Sequence, residues 1–328
     1  MEGNSRSAMV ISLDFELHWG VADQVRGPEN SYWKRLQGAR EAIPHILEMF
    51  EKRCIHATWA TVGFIFAHGR EDMNFFNPQI LPQYLCNSVN NYLIEVGESE
   101  REDPVHFAPS LIKEIMDTSG QELASHTYSH YYCDDPGQDM MSFRADLEAA
   151  QAIADRDGVR LRTLVFPRNQ VKDNYLDILP ETGIEVYRGN PISRLYQVSE
   201  QKFNKYTYRA LRLLDSYFNL TGHHTVKWSD IRAKKPYNVR YSHFFRPYSR
   251  KLRALDFLRL NRVKKGLREA ARCGEVYHLW WHPHNFGVNL AENLVALESI
   301  LDEFSRLWKT HGMRSMTMAE AADSACQD

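Results

Sequence analysis

Short apolar runs alternate along the chain with stretches in which apolar residues recur at helical intervals. Met9-Val-Ile-Ser-Leu13 is apolar enough to be a buried strand. Residues 39–53 place Ile43, Ile46, Leu47 and Phe50 on one helical face. Residues 56–61 are β-prone and stop near Gly63, which predicts a second strand. The pattern then predicts a helix over 111–118, a third strand over 122–125, and a helix carrying Phe143, Leu147, Ala150 and Ile153 that closes near Gly158. A fourth strand over 164–167, a short helix over 177–182 and a fifth strand over 185–187 follow. Late in the chain, 276–281 is strongly strand-like, 290–308 is helical, and 315–318 is a last strand. Strands alternating with helices imply an α/β fold with a largely parallel sheet or barrel. Residues 68–110 break this rhythm with Pro78, Pro82, Pro104 and Pro109, and read as a lid or groove-wall insertion.

With 43% hydrophobic and 12% aromatic residues, the 328-residue chain has enough apolar material for a real core, which excludes a disordered protein. Five Cys without a CxxC pair read as reduced thiols, not as a disulfide framework or zinc ribbon. The run after Met1–Ala8 is too short for a signal peptide, and 58–67 is about half a bilayer span. A cytoplasmic location is expected, with peripheral contact at the inner face of the membrane as an extension.

The formal charge of −2 hides an asymmetry. Between residues 202 and 272 there are 19 Lys and Arg against four acids, in a stretch also rich in Tyr and Phe. This segment reads as a basic aromatic insertion within one domain spanning 1–328. Within 250–272, Leu252, Leu260, Val263, Leu267 and Ala270 share one helical stripe, opposite Lys251, Lys265, Arg268 and Arg272. Such a helix either rests on an anionic membrane surface or packs on the body of the protein with its charges solvated. No nucleic-acid-binding motif accompanies it.

Candidate chemistry sits in four segments, 14–16, 126–130, 166–169 and 282–284, each at the C-terminal end of an expected strand, where α/β sheets and barrels build their sites. Asp14 and Glu16 are two apart on an extended segment and share a face. They are either site carboxylates or the end of a strand reaching solvent. His126 and His130 are four apart, which on a helical turn puts both imidazoles on one side. They are either ligands for Zn, Fe, Ni or Co, or ordinary loop histidines. Two His and one carboxylate make the three protein ligands of a catalytic metal, and the second carboxylate is left as a general base.

Taken together, these segments resemble the polysaccharide deacetylase (NodB-homology) family, carbohydrate esterase family four. Ser12-Leu-Asp-Phe-Glu16 is similar to its Thr-Phe-Asp-Asp-Gly motif, and His126-Thr-Tyr-Ser-His130 matches its His-Ser/Thr-x-x-His motif. Phe166-Pro-Arg-Asn169 resembles part of its Arg-x-Pro motif, and Leu279-Trp-Trp-His282 its last strand and His. The resemblance implies a distorted (β/α)7 barrel and divalent-metal-dependent hydrolysis of an acetyl group from an N-acetylated sugar, with zinc as the metal. It implies Asp14 as base, His126 and His130 as ligands, and His282 as general acid. The family's metal-binding Asp follows the base directly. Here Phe15 stands there, so Glu16 is the nearest replacement, and an exchange of roles between Asp14 and Glu16 stays open. The family's arginine, which steadies the base, precedes the proline by two, where this chain has Val165; Arg168 or Arg188 takes its place. His18, Trp19, Asn169, Arg188 and His284 are candidates to line the sugar site. The resemblance also implies work in surface-polysaccharide (O-antigen-like) synthesis on sugars carried by a lipid diphosphate or nucleotide. Two other readings remain: an amidase of this fold acting on a formyl or cyclic amide, and a non-catalytic glycan-binding protein with a degraded site.

Overall fold

The computed structural model describes residues 7–197 and 206–327. The polar start of the chain, and Lys202 and Lys205 at the head of the basic stretch, lie outside the described residues. The strands are β1 (Ala8–Phe15), β2 (Ala57–Thr61), β3 (Gln121–Ser125), β4 (Thr163–Leu164), β5 (Val186–Tyr187), β6 (Tyr237–Asn238), β7 (His243–Phe244), β8 (Val276–Trp281) and β9 (Arg314–Met316). They run in the order β6-β5-β4-β3-β2-β1-β8-β7, with β9 beside the start of β1, and every pairing between them is parallel. The longer helices are α1 (Trp33–Lys52), α2 (Pro109–Asp117), α3 (Met140–Arg156), α4 (Tyr206–Phe218), α5 (Asp256–Cys273), α6 (Leu290–His311) and α7 (Met318–Cys326). This is the expected distorted (β/α) barrel. Among the described residues no helix is long and apolar enough to cross a membrane.

β1 is buried along its whole length, which explains its near-continuous apolar sequence. The register carries the strand ends to one rim. Phe15 lies beside Thr61, Thr61 beside Ser125, Ser125 beside Leu164, and Leu164 beside Tyr187. On the other flank Leu13 lies beside Trp281. The residues that leave these ends, Glu16, His126, Arg188 and His282, therefore emerge together.

Several expectations are corrected. The helix sought over 250–272 begins as an α-helix only at Asp256, after a 3-10 segment, Arg250–Leu255. Its apolar stripe is buried at Val263, Leu267 and Ala270, and Arg259 and Arg262 are buried with it. Arg268 pairs with Glu303 of α6, and Lys264 donates to Ser299. The stripe is thus a packing face of the barrel. The strand sought over 315–318 ends at Met316, because Thr317 caps α7 in a reciprocal box with Glu320. The basic stretch supplies β6 and β7, two-residue strands too short for any periodicity to mark.

Candidate active site

A cavity of about 350 Å³ opens at the rim. Asp14, Glu16, His130, Arg168, Asn169, His282 and His284 all line it. Asp14 leaves β1 into the grip of Arg188, whose Nη1 and Nη2 donate to its two oxygens at 2.6 and 2.7 Å. Arg188 is fully buried and also donates to Ser12 Oγ and Asn169 Oδ1. Its guanidinium lies 4.3 Å from the centre of the Trp280 ring. Behind it, His278 Nε2 is 2.8 Å from Ser12 Oγ while its Nδ1 meets the Val239 carbonyl. Burial works against a charge on Asp14, but Arg188, with His126 and His282 nearby, holds the carboxyl below its ordinary range. It is an ionised carboxylate at neutral pH.

Glu16 Oε2 lies 3.3 Å from His126 Nε2 and 3.1 Å from His130 Nε2. Its carboxyl fits because Gly20 has no side chain; a Cβ there would stand 2.0 Å from Glu16 Cδ. The two histidines do not meet through a helical turn, as their spacing suggests. The chain leaves β3 with Thr127 and His130 both in the left-handed region, at φ 62° and 58°. Local bonds hold this costly turn. Tyr131 N donates to Thr127 Oγ1, and buried Asp146 of α3 accepts from the backbone of Tyr128 and Ser129 and from the Tyr92 hydroxyl. Asp146 therefore acts as a strut for the histidine loop.

The donor set fits a divalent cation. His126 Nδ1 donates to the Val165 carbonyl at 2.8 Å, which turns the Nε2 lone pair toward Glu16. That buried Nε2 has no hydrogen-bond partner. A lone pair facing a carboxylate is repulsive unless a positive charge sits between them. Burial pushes the His130 imidazole down to about 4 despite its contact with Glu16, so it is neutral and able to ligate. Two imidazole nitrogens and one carboxylate oxygen, all within 4.8 Å of one another, are a donor set for zinc or a neighbouring transition metal.

His282 faces both carboxylates, with Nε2 at 3.5 Å from Glu16 Oε1 and 4.0 Å from Asp14 Oδ2. Asn285 Nδ2 donates to His282 Nδ1 at 3.3 Å, which leaves the ring proton on Nε2, toward the cavity. His284 stacks on His282 and meets the Tyr32 hydroxyl at 2.9 Å.

Three expected residues stand elsewhere. Arg168 does not touch Asp14; it pairs with Asp23 at 2.6 Å and lies over the Tyr132 ring. The side chain after Pro167 is carried to the rim, and Arg188, one residue past β5, reaches Asp14 instead. His18 and Trp19 do not line the cavity. A 3-10 turn, Leu17–Gly20, follows Glu16 and turns both inward against the 68–110 segment. His18 bonds His106 and the Val25 carbonyl, and Trp19 Nε1 donates to the His106 carbonyl. The pattern did not mark Tyr32, Tyr196, Tyr241 or Trp280 as lining residues, although Trp280 stands two before His282 on an expected strand.

The sequence model of the polysaccharide deacetylase family matches residues 36–187. Over that stretch, a little under half of its length, the chain is similar to the polysaccharide deacetylase family. The matched stretch carries the two histidines and ends one residue before Arg188, while Asp14, Glu16 and His282 lie outside it. Similar solved structures include a Mycobacterium smegmatis protein assigned as a polysaccharide deacetylase (TM-score 0.60, 12% identity, covering 98% of this chain and 91% of that one). A Pseudomonas aeruginosa protein assigned likewise has a TM-score of 0.57 at 12% identity, over 100% and 93% of the two chains. Puue allantoinase has a TM-score of 0.57 at 14% identity, over 98% and 91%. At such identities these neighbours speak for the polysaccharide deacetylase fold and not for a substrate. No curated relative matches the chain in sequence.

Proposed function

We propose that this protein hydrolyses the acetamide of an N-acetylated sugar. The observation that carries the reading is the convergence on Glu16 Oε2 of two buried imidazoles, next to an arginine-held Asp14 and facing His282. In this reading Glu16, His126 and His130 hold a divalent cation, zinc by the character of the donors. The cation supplies charge that acidifies water and polarises the acyl oxygen. Asp14, kept ionised by Arg188, takes the water proton on a lone pair that the guanidinium leaves free. His282 delivers a proton from Nε2 to the leaving amine. Each proton transfer contributes about 10²–10⁴-fold. Asn169, Tyr241 and Trp280 present polar and aromatic surface to the sugar ring.

The test is metal content and acyl release on purified protein. Wild type is expected to hold one transition metal per chain and to release acetate, not formate, from N-acetylated sugars. His126→Ala is expected to lose the metal, and Asp14→Asn to keep it but lose hydrolysis. A wild-type protein that takes up no metal, or hydrolysis that survives Asp14→Asn, overturns the proposal.

A further inference from the structure

We propose that the cavity adjoining the active site is a subsite for a phosphate-type anion carried by the sugar, an inference that rests on the deacetylase reading. This second cavity, of about 460 Å³, shares Asn169, Tyr196, Tyr241 and Trp280 with the first. One ligand can therefore occupy both. Its outer wall brings together Arg209 and Arg212 of α4, His243 of β7 and Arg246, and no Asp or Glu is among the described residues that line it.

The arginines here contrast with two on the outer surface. Arg162 and Arg268 are answered by carboxylates. Arg246 is largely buried, its Nε has no hydrogen-bond partner, and burial and the like charge of Arg209 push its guanidinium below its ordinary range. Arg212, 7% exposed, is fixed in place by donating from Nε and Nη2 to the Leu195 carbonyl. His243 is 4% exposed and its Nε2 also lacks a partner. Like charges gathered in a half-buried cavity are costly unless an opposite charge answers them. A carboxylate satisfies one guanidinium fork, whereas a phosphate or diphosphate has enough oxygens for several. The shared aromatic wall then sets the sugar beside Asp14 and Glu16.

The test is calorimetric binding of inorganic pyrophosphate to the full chain at low salt, which requires no hydrolysis. Wild type is expected to bind, and the double variant Arg209→Gln/Arg246→Gln to bind at least about tenfold more weakly, as the loss of charge-assisted hydrogen bonds requires. If the double variant unfolds, Arg209→Gln alone, at an exposed position, is expected to weaken binding about threefold. A wild type that does not bind, or variants that bind equally well, overturns the subsite. Acyl release absent while pyrophosphate still binds removes the deacetylase reading alone. UDP and farnesyl diphosphate as competitors separate the sources. Tighter UDP supports a nucleotide-borne phosphate, tighter farnesyl diphosphate a lipid-borne one, and equal affinity the phosphate itself. Failure of both to displace pyrophosphate overturns the proposal.

Discussion

Arg188 and Asp14 meet through two parallel hydrogen bonds, at 2.6 and 2.7 Å, across 174 residues of chain. The fork fixes the carboxylate in plane and keeps it ionised. Arg188→Lys retains a charge but not the fork, and is expected to lower hydrolysis about 10–100-fold with the fold intact. Arg188→Ala leaves Asp14 buried and alone, at about 3–5 kcal/mol of stability. Arg168→Ala removes its pair with Asp23 and its contact with the Tyr132 ring, not the grip on Asp14, and is expected to cost less stability than Arg188→Ala and to leave hydrolysis nearly unchanged. Acyl-release kinetics and urea melts of the three variants check this; equal losses at Arg168 and Arg188 would contradict it.

Gly20→Ala sets a methyl group 2.0 Å from Glu16 Cδ. The carboxyl must swing away from His126 and His130. Metal content is expected to fall at least about tenfold, for a stability cost of about 1–3 kcal/mol. Elemental analysis after dialysis reads the outcome, and a fully loaded variant would show that Glu16 does not hold the metal.

Asp146 touches neither carboxylate nor histidine ring, yet it shapes the loop that carries both imidazoles. Burial pushes its carboxyl up to about 6, against the pull of its hydroxyl and backbone donors. Asp146→Ala is expected to weaken metal binding about 10–100-fold by freeing the turn at Thr127 and His130. Asp146→Asn, which keeps one acceptor for the Tyr128 amide, is expected to recover part of that loss. Equilibrium dialysis against a competing chelator measures both; wild-type affinity in Asp146→Ala would refute the strut.

Acid stability is set by buried imidazoles. Burial pushes His18 and His130 down to about 4, and His278 and His284 down to about 3. In the unfolded chain each takes up its proton near about 6.5. The unfolded state therefore binds more protons below that value, and stability falls as the pH drops from 6.5 toward about 4. Above 6.5 this contribution is complete and flat. Urea midpoints of the metal-free protein across this range are expected to show the slope well above the carboxylate range, with His278→Gln reducing it. A flat profile down to pH 5 would be inconsistent with neutral buried histidines.

β1 and β8 were legible because each is a largely apolar run ending in a polar chemical group, Leu13 before Asp14 and Trp281 before His282. β4 to β7 were partly or wholly illegible, since two residues cannot display a period. The site divided in the same way. Residues that follow long strands lie together at one rim, and their mutual contacts follow from the register. Arg188 was ambiguous with Arg168 because the choice depends on which side chain crosses the barrel, and pattern within either segment does not encode that. His18 and Trp19 were misplaced because a single 3-10 turn after Glu16, with Leu17 at φ 46°, reverses their direction. The second cavity was visible only as a surplus of charge, without a location.

Among the described residues β1 precedes every other strand, yet one of its long neighbours is β8, more than 260 residues later. While the chain is still on the ribosome, the backbone groups along Ala8–Leu13 that β8 will pair are an open edge. Closing that gap late is slow, since the contact spans most of the sequence. Asp14 and Glu16 therefore remain without His282 opposite them until β8 has been made. A nascent chain interrupted before β8 carries the two carboxylates and the histidine pair without His282 across from them.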